Sequence, residues 1–80
     1  MSNTLKNKTI SIEKILFDIP SKITIRLMDG RIIITPLKYF SELKKLSIDK
    51  LEKYTIVDDT TILFLHSDNI YHLRDFIGIQ

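Results

Sequence analysis

The 80-residue chain has no cysteine, tryptophan or alanine, and it has only two glycines and two prolines. Without thiols there is neither a disulfide nor a thiolate metal site, so packing alone must hold the fold. A glycine-rich phosphate loop is excluded as well, because Gly30 and Gly78 stand far apart and each has a local structural use. No apolar run approaches the roughly 20 residues that span a bilayer, and the N-terminus lacks the charged-then-apolar pattern of a signal peptide. The sequence therefore predicts a cytoplasmic protein with no membrane partner. Charge of one sign is also scarce. Twelve Lys and Arg stand against ten Asp and Glu, for a net charge of +2, which gives no case for nucleic acid as the partner.

What is present is isoleucine, fifteen times, and lysine over arginine by nine to three. With alanine missing, this bias follows A/T-rich codons and points to a low-GC bacterium, or to a phage or mobile element living in one. Eighty residues make one domain. A chain of this length buries only about 60% of the surface its unfolded form exposes, and domains so small often gain stability by forming oligomers.

The clearest local signal is Asp29-Gly30, set between KITIRLM and RIIITPL. Glycine takes positive φ freely and aspartate tolerates it, so this dipeptide predicts a hairpin. A two-residue turn would place Leu27 opposite Ile32, Arg26 opposite Ile33 and Ile25 opposite Ile34. Ile23, Ile25, Leu27, Ile32 and Ile34 would then share the core face. Arg26, Met28, Arg31 and Ile33 would form an apolar spot with a positive rim on the other face, the candidate interaction surface.

Residues 1–8 read as a loose polar tail and 9–80 as a single domain. Thr9 to Phe17 predicts a strand whose apolar phase switches near Glu13-Lys14, the mark of a bulge. Asp18 to Ser21 is a turn around Pro20. Thr35-Pro36 announces a helix, with threonine as cap and Leu37, Phe40, Leu43 and Leu46 as its core stripe. Ser47 is placed to cap a second short helix. Residues 55–57 and 61–65 predict a second hairpin around Asp58-Asp59-Thr60. Leu73, Phe76 and Ile77 predict a final helix stopped by Gly78. The fold class is α+β: an antiparallel sheet built from a β-meander and a second hairpin, with two or three short helices packed on one face.

Motifs that could carry chemistry are thin. Ser41-Glu42-Leu43-Lys44 and Ser67-Asp68-Asn69 match two of the three elements of a serine acyltransferase signature, but the third is missing and the chain is too short for that fold. His66, Asp68 and His72 fall within seven residues, yet a turn intervenes where a metal site would want one face. Asp58 and Asp59 sit side by side in a turn, where both stay solvated. The reading assigns no catalytic residue, no cofactor and no metal, and expects a non-enzymatic protein.

From about Glu13 to Gly78 the order of features resembles the small bacterial and phage family called domain of unknown function 2442. The matching residues are Asp29-Gly30-Arg31, Pro36-Leu37, Tyr39-Phe40, Leu43, Leu51, Tyr54, Asp68, Ile70 and Leu73 through Gly78. Where the family tends to have proline and tryptophan, this chain has Ser41 and Phe64-Leu65-His66. The resemblance implies an α+β fold without known catalytic residues. It also implies, for some members, fusion to a helix-turn-helix or an arrangement similar to toxin and antitoxin pairs; 80 residues leave no room for the former.

Together these readings predict a small interaction module, with the resemblance adding an antitoxin-like role or a mobile-element origin, that acts through a protein partner or as a homo-oligomer. The alternative is an oligomer that binds and sequesters a small anionic, nucleotide-like ligand.

Overall fold

The computed structural model describes residues 10–77. The tail at residues 1–8, Thr9 and the stop at Gly78 lie outside the described residues. The architecture is α+β, built from two antiparallel three-stranded sheets and three short helices. The first sheet is a meander of β1 (Ile12–Leu16), β2 (Lys22–Leu27) and β3 (Ile32–Pro36). The second hairpin does not extend it. β4 (Tyr54–Val57) and β5 (Thr61–Phe64) instead take β6 (Ile70–His72) as a third strand and form a sheet of their own.

The bulge predicted in β1 is present, with the register shifting between Ile12 and Lys14 so that Ile12 and Ile15 both reach the core. The turn before β2 closes with the Lys22 N–H donating to the Ile19 carbonyl at 3.1 Å. Pro20 occupies its second position, and Ser21 sits at φ +64°, a conformation glycine takes more readily. Between β4 and β5, Asp58 and Asp59 adopt φ +53° and +67°, which short polar side chains tolerate better than most.

The first hairpin departs from expectation by one residue. Leu27 faces Arg31, with its N–H donating to the Arg31 carbonyl at 2.8 Å, and the Gly30 N–H returns to the Leu27 carbonyl at 3.0 Å. The loop is therefore three residues, Met28-Asp29-Gly30, with Gly30 at φ +97° as its left-handed closing residue. The Arg31 N–H donates to Asp29 Oδ1 at 3.0 Å and fixes the aspartate inside the turn. Since strand side chains alternate, the slip exchanges the two faces of β3. Ile25 now faces Ile33, and Arg26 faces Ile32.

The predicted first helix is also divided. Thr35 caps nothing; it stays in β3, and its buried hydroxyl donates to the Phe76 carbonyl at 2.8 Å. After Pro36 comes a 3₁₀ turn at Leu37–Tyr39, then α1 (Ser41–Lys44). The stripe repeats every three residues, which is the 3₁₀ period and not the α period. It still works as a stripe, since Leu37 and Leu43 are buried and Phe40 and Leu46 pack against them. In α2 (Ile48–Leu51) the predicted cap is in place, with Ser47 Oγ accepting from the Lys50 N–H. In α3 (Leu73–Ile77), Leu73 and Phe76 are buried and Ile77 is exposed.

The core collects Ile12, Ile15, Ile23, Ile25 and Leu27 from the first sheet and Ile62, Phe64 and Tyr71 from the second, with Leu43, Leu51 and Phe76 between them. Phe64 joins the two halves through an edge-on contact to Phe17 at 6.5 Å, and within its own sheet it makes another to Tyr71 at 5.8 Å. Such pairs add about 0.5–1.5 kcal/mol each beyond their buried area. Tyr54 makes a second link, its hydroxyl accepting from the Ile15 N–H at 3.0 Å and donating to the Ile15 carbonyl at 3.1 Å.

Candidate functional site

The four residues expected to form one surface are separated. Ile33 shares the core face with Ile25 and is partly buried. Met28 stands in the loop, 64% exposed. Arg26 lies on the outer face, where its Nε is 3.2 Å from Glu13 Oε1. Arg31 turns its Nε onto Asp29 Oδ2 at 2.8 Å. The outer-face isoleucines are instead Ile32 and Ile34, 57% and 49% exposed.

Among the described residues, these two belong to a strand edge that no other strand pairs with. The bonded pairs Leu27/Arg31 and Ser21/Leu37 set the alternation along β3, so Ile33 and Thr35 direct their backbone groups to β2. Ile32 and Ile34 direct theirs away from it. Among the described residues, no backbone group bonds to the Ile32 or Ile34 N–H. Pro36 fits this geometry, since its missing N–H would also point outward, and proline in a sheet is confined to such edges.

The other edges are blunted in familiar ways. The outer edge of β1 is sealed by the Tyr54 hydroxyl on Ile15 and by the Ile12 N–H donating to the Asp59 carbonyl at 2.8 Å. β4 and β6 offer four and three residues. Pro36 protects only the far end of β3; between it and Arg31 the edge presents three successive isoleucines with no charge and, among the described residues, no strand laid against it.

A groove of about 650 Å³ runs along this edge. Its walls include Ile10, Tyr39, Phe76 and Ile77, of which Ile10, Tyr39 and Ile77 are exposed apolar side chains. The Arg31–Asp29 ion pair at its end carries little net charge. The Asp29 carboxyl is held below its usual range, first by the Arg31 N–H and then by the guanidinium of the same residue. A second hollow of about 370 Å³ is lined by Ser21, Lys22, Pro36, Leu37, Lys38 and Lys44.

The residues singled out for chemistry have structural uses or stand apart. Ser67 Oγ accepts from the Asn69 N–H within a turn. His72 lies across from Thr61, and the His72 backbone N–H donates to Asp75 Oδ2 at 2.8 Å in the first turn of α3, while His66 is exposed. Among the described residues, no three His, Cys, Asp or Glu side chains converge as a metal site would require. No helix among them is long and apolar enough to cross a membrane.

Sequence reasoning missed the edge itself. The signal available was Pro36 closing an uncharged isoleucine run, which marks an edge strand. No family model, curated protein or solved structure matches this chain.

Proposed function

We propose that the protein is a non-enzymatic interaction module that accepts an extended protein segment on the open edge of β3. The observation that carries this reading is the pair of outward amides at Ile32 and Ile34, bordered by exposed apolar side chains along one groove. Strand addition uses such an edge directly: backbone hydrogen bonds supply affinity, and alternate side chains supply selectivity. The pairing of Arg26 with Glu13 and of Arg31 with Asp29 favours a neutral polypeptide over an anion at this edge.

Hydrogen exchange tests the reading. An extended peptide of alternating β-branched residues should protect the Ile32 and Ile34 amides, and Ile32→Lys with Ile34→Lys should abolish the effect while β2–β3 protection persists. If both amides exchange at the same rate with and without peptide, the reading fails.

A small anionic ligand is a second reading, supported by the hollow that Lys22, Lys38 and Lys44 share. Native mass spectrometry followed by denaturation discriminates the two, because a stoichiometric small mass released from the chain would favour the ligand.

A further inference from the structure

Resting on the strand-accepting reading of β3, we infer that the occupant of this edge is a second copy of the same chain, paired antiparallel through β3 with Ile32 of each protomer opposite Ile34 of its partner.

The register comes from the backbone. In an antiparallel pair about a twofold axis, only residues whose N–H and C=O point outward can exchange bonds, and within β3 these are Ile32, Ile34 and Pro36. Centring the axis on Ile34 would set Ile32 opposite Pro36, whose missing N–H forfeits a bond at each end. Centring it on Ile32 would bring Gly30 opposite Ile34, but the Gly30 N–H is already given to the Leu27 carbonyl. Either of those registers makes four bonds but leaves one isoleucine carbonyl at each end facing the partner without a donor, whereas centring the axis on Ile33 also makes four, lets Ile32 and Ile34 each exchange both bonds, and requires nothing of Pro36 or Gly30. Pro36 thus selects the register as well as marking the edge.

Charge permits the same arrangement. In that register Arg31 lies opposite Thr35 of the partner subunit, and no Lys or Arg of β3 meets another. Arg31 is in any case held by Asp29 within its own hairpin. Directly opposed like charges, which would disfavour a symmetric pair, are absent.

Area sets the strength. Ile10, Ile32, Ile34, Tyr39 and Ile77 keep between 41% and 57% of their surface exposed around the groove. Each offers on the order of 90 Å² to a partner, so the pair would bury about 1,000 Å² in total once the strand backbones are included. That is the lower limit for a specific interface. The dimer should dissociate at micromolar concentration, on the order of 10 µM.

The chain has no cysteine of its own, which makes the register directly measurable. Ile32→Cys and Ile34→Cys alter exposed side chains and leave the core intact. A hydrogen-bonded antiparallel pair holds its Cα atoms about 5.5 Å apart, within disulfide reach, whereas the diagonal separation of about 7–8 Å is too long. Under mild oxidation an equimolar mixture of the two variants should cross-link, and either variant alone should not. Ile34→Pro, which removes an outward donor without touching the β2 ladder, should weaken dimerisation by at least tenfold, with folding checked by the Ile25 and Ile33 amides. Cross-linking of Ile34→Cys with itself would overturn the register. A chain that stays monomeric up to near-millimolar concentration, yet whose Ile32 and Ile34 amides are protected by the extended peptide, would refute self-pairing and leave the strand-accepting reading standing. A monomer without that protection would overturn both.

Discussion

Replacing Tyr54 with phenylalanine removes one oxygen atom and should open the seam between the two sheets. The ring would keep its contact with Phe64, whose centroid lies 6.3 Å away, so packing changes little. What is lost is the pair of bonds to Ile15, at 3.0 and 3.1 Å. Ile15 is only 3% exposed, and its N–H and C=O would be left without partners beside the core. An unsatisfied buried group costs about 1–3 kcal/mol. Tyr54 is itself partly exposed, so water can reach the seam and the low end of that range, about 1–1.5 kcal/mol, applies to each group. The sum is about 2–3 kcal/mol, against a total of roughly 4–12 kcal/mol for a domain of this size. With a urea slope near 1 kcal/mol/M, the midpoint should fall by about 2 M at unchanged slope, and the thermal midpoint by roughly 10–20 °C. Urea denaturation followed by far-UV circular dichroism reads this directly. A fall of less than about 0.5 M, with Ile15 still protected from exchange, would show that the hydroxyl does not hold the seam.

Ser21→Gly should stabilise by about 0.5–1 kcal/mol, because φ +64° strains serine and suits glycine; calorimetry showing a lower melting temperature would contradict that account. Thr24→Val should also stabilise, by about 1 kcal/mol, since the Thr24 hydroxyl is buried and, among the described residues, alone in lacking a partner; a fall in the urea midpoint would mean that the hydroxyl is satisfied after all. The Asp29 carboxyl titrates below its unfolded value, so its contribution is fully present above the unfolded pKa and is lost as pH falls through the lower folded one. Asp29→Asn should therefore flatten the stability profile only below about pH 4, and an unaltered acid limb would argue against the turn as the titrating element.

The hairpin was legible in Asp29-Gly30, and the bulge in the change of apolar phase across Glu13-Lys14. The register was not. Ile32-Ile33-Ile34 is apolar in both phases, so alternation could not choose a face, and the same dipeptide serves two-residue and three-residue loops alike. Thr35 added to the ambiguity, being a polar residue on the buried face whose partner is a carbonyl 41 positions away. β6 escaped for a different reason. Ile70-Tyr71-His72 is too short to show a period and runs straight into α3. The open edge depends on the register, so it became visible only when Ile33 was seen to face Ile25.

The seam also bears on how the chain reaches its native state. Each meander closes contacts between neighbours in sequence, whereas the bonds joining the halves span 39 positions at Ile15 and Tyr54, 41 at Thr35 and Phe76 and 47 at Ile12 and Asp59. Loop closure over such distances is entropically dearer than hairpin formation, so the two meanders should form before they dock. Contacts made after the rate-limiting barrier govern the rate of leaving the native state and scarcely affect the rate of entering it. Tyr54 is then a brake on unfolding: a hydroxyl that contributes little to the speed of folding while setting how long the two halves stay together.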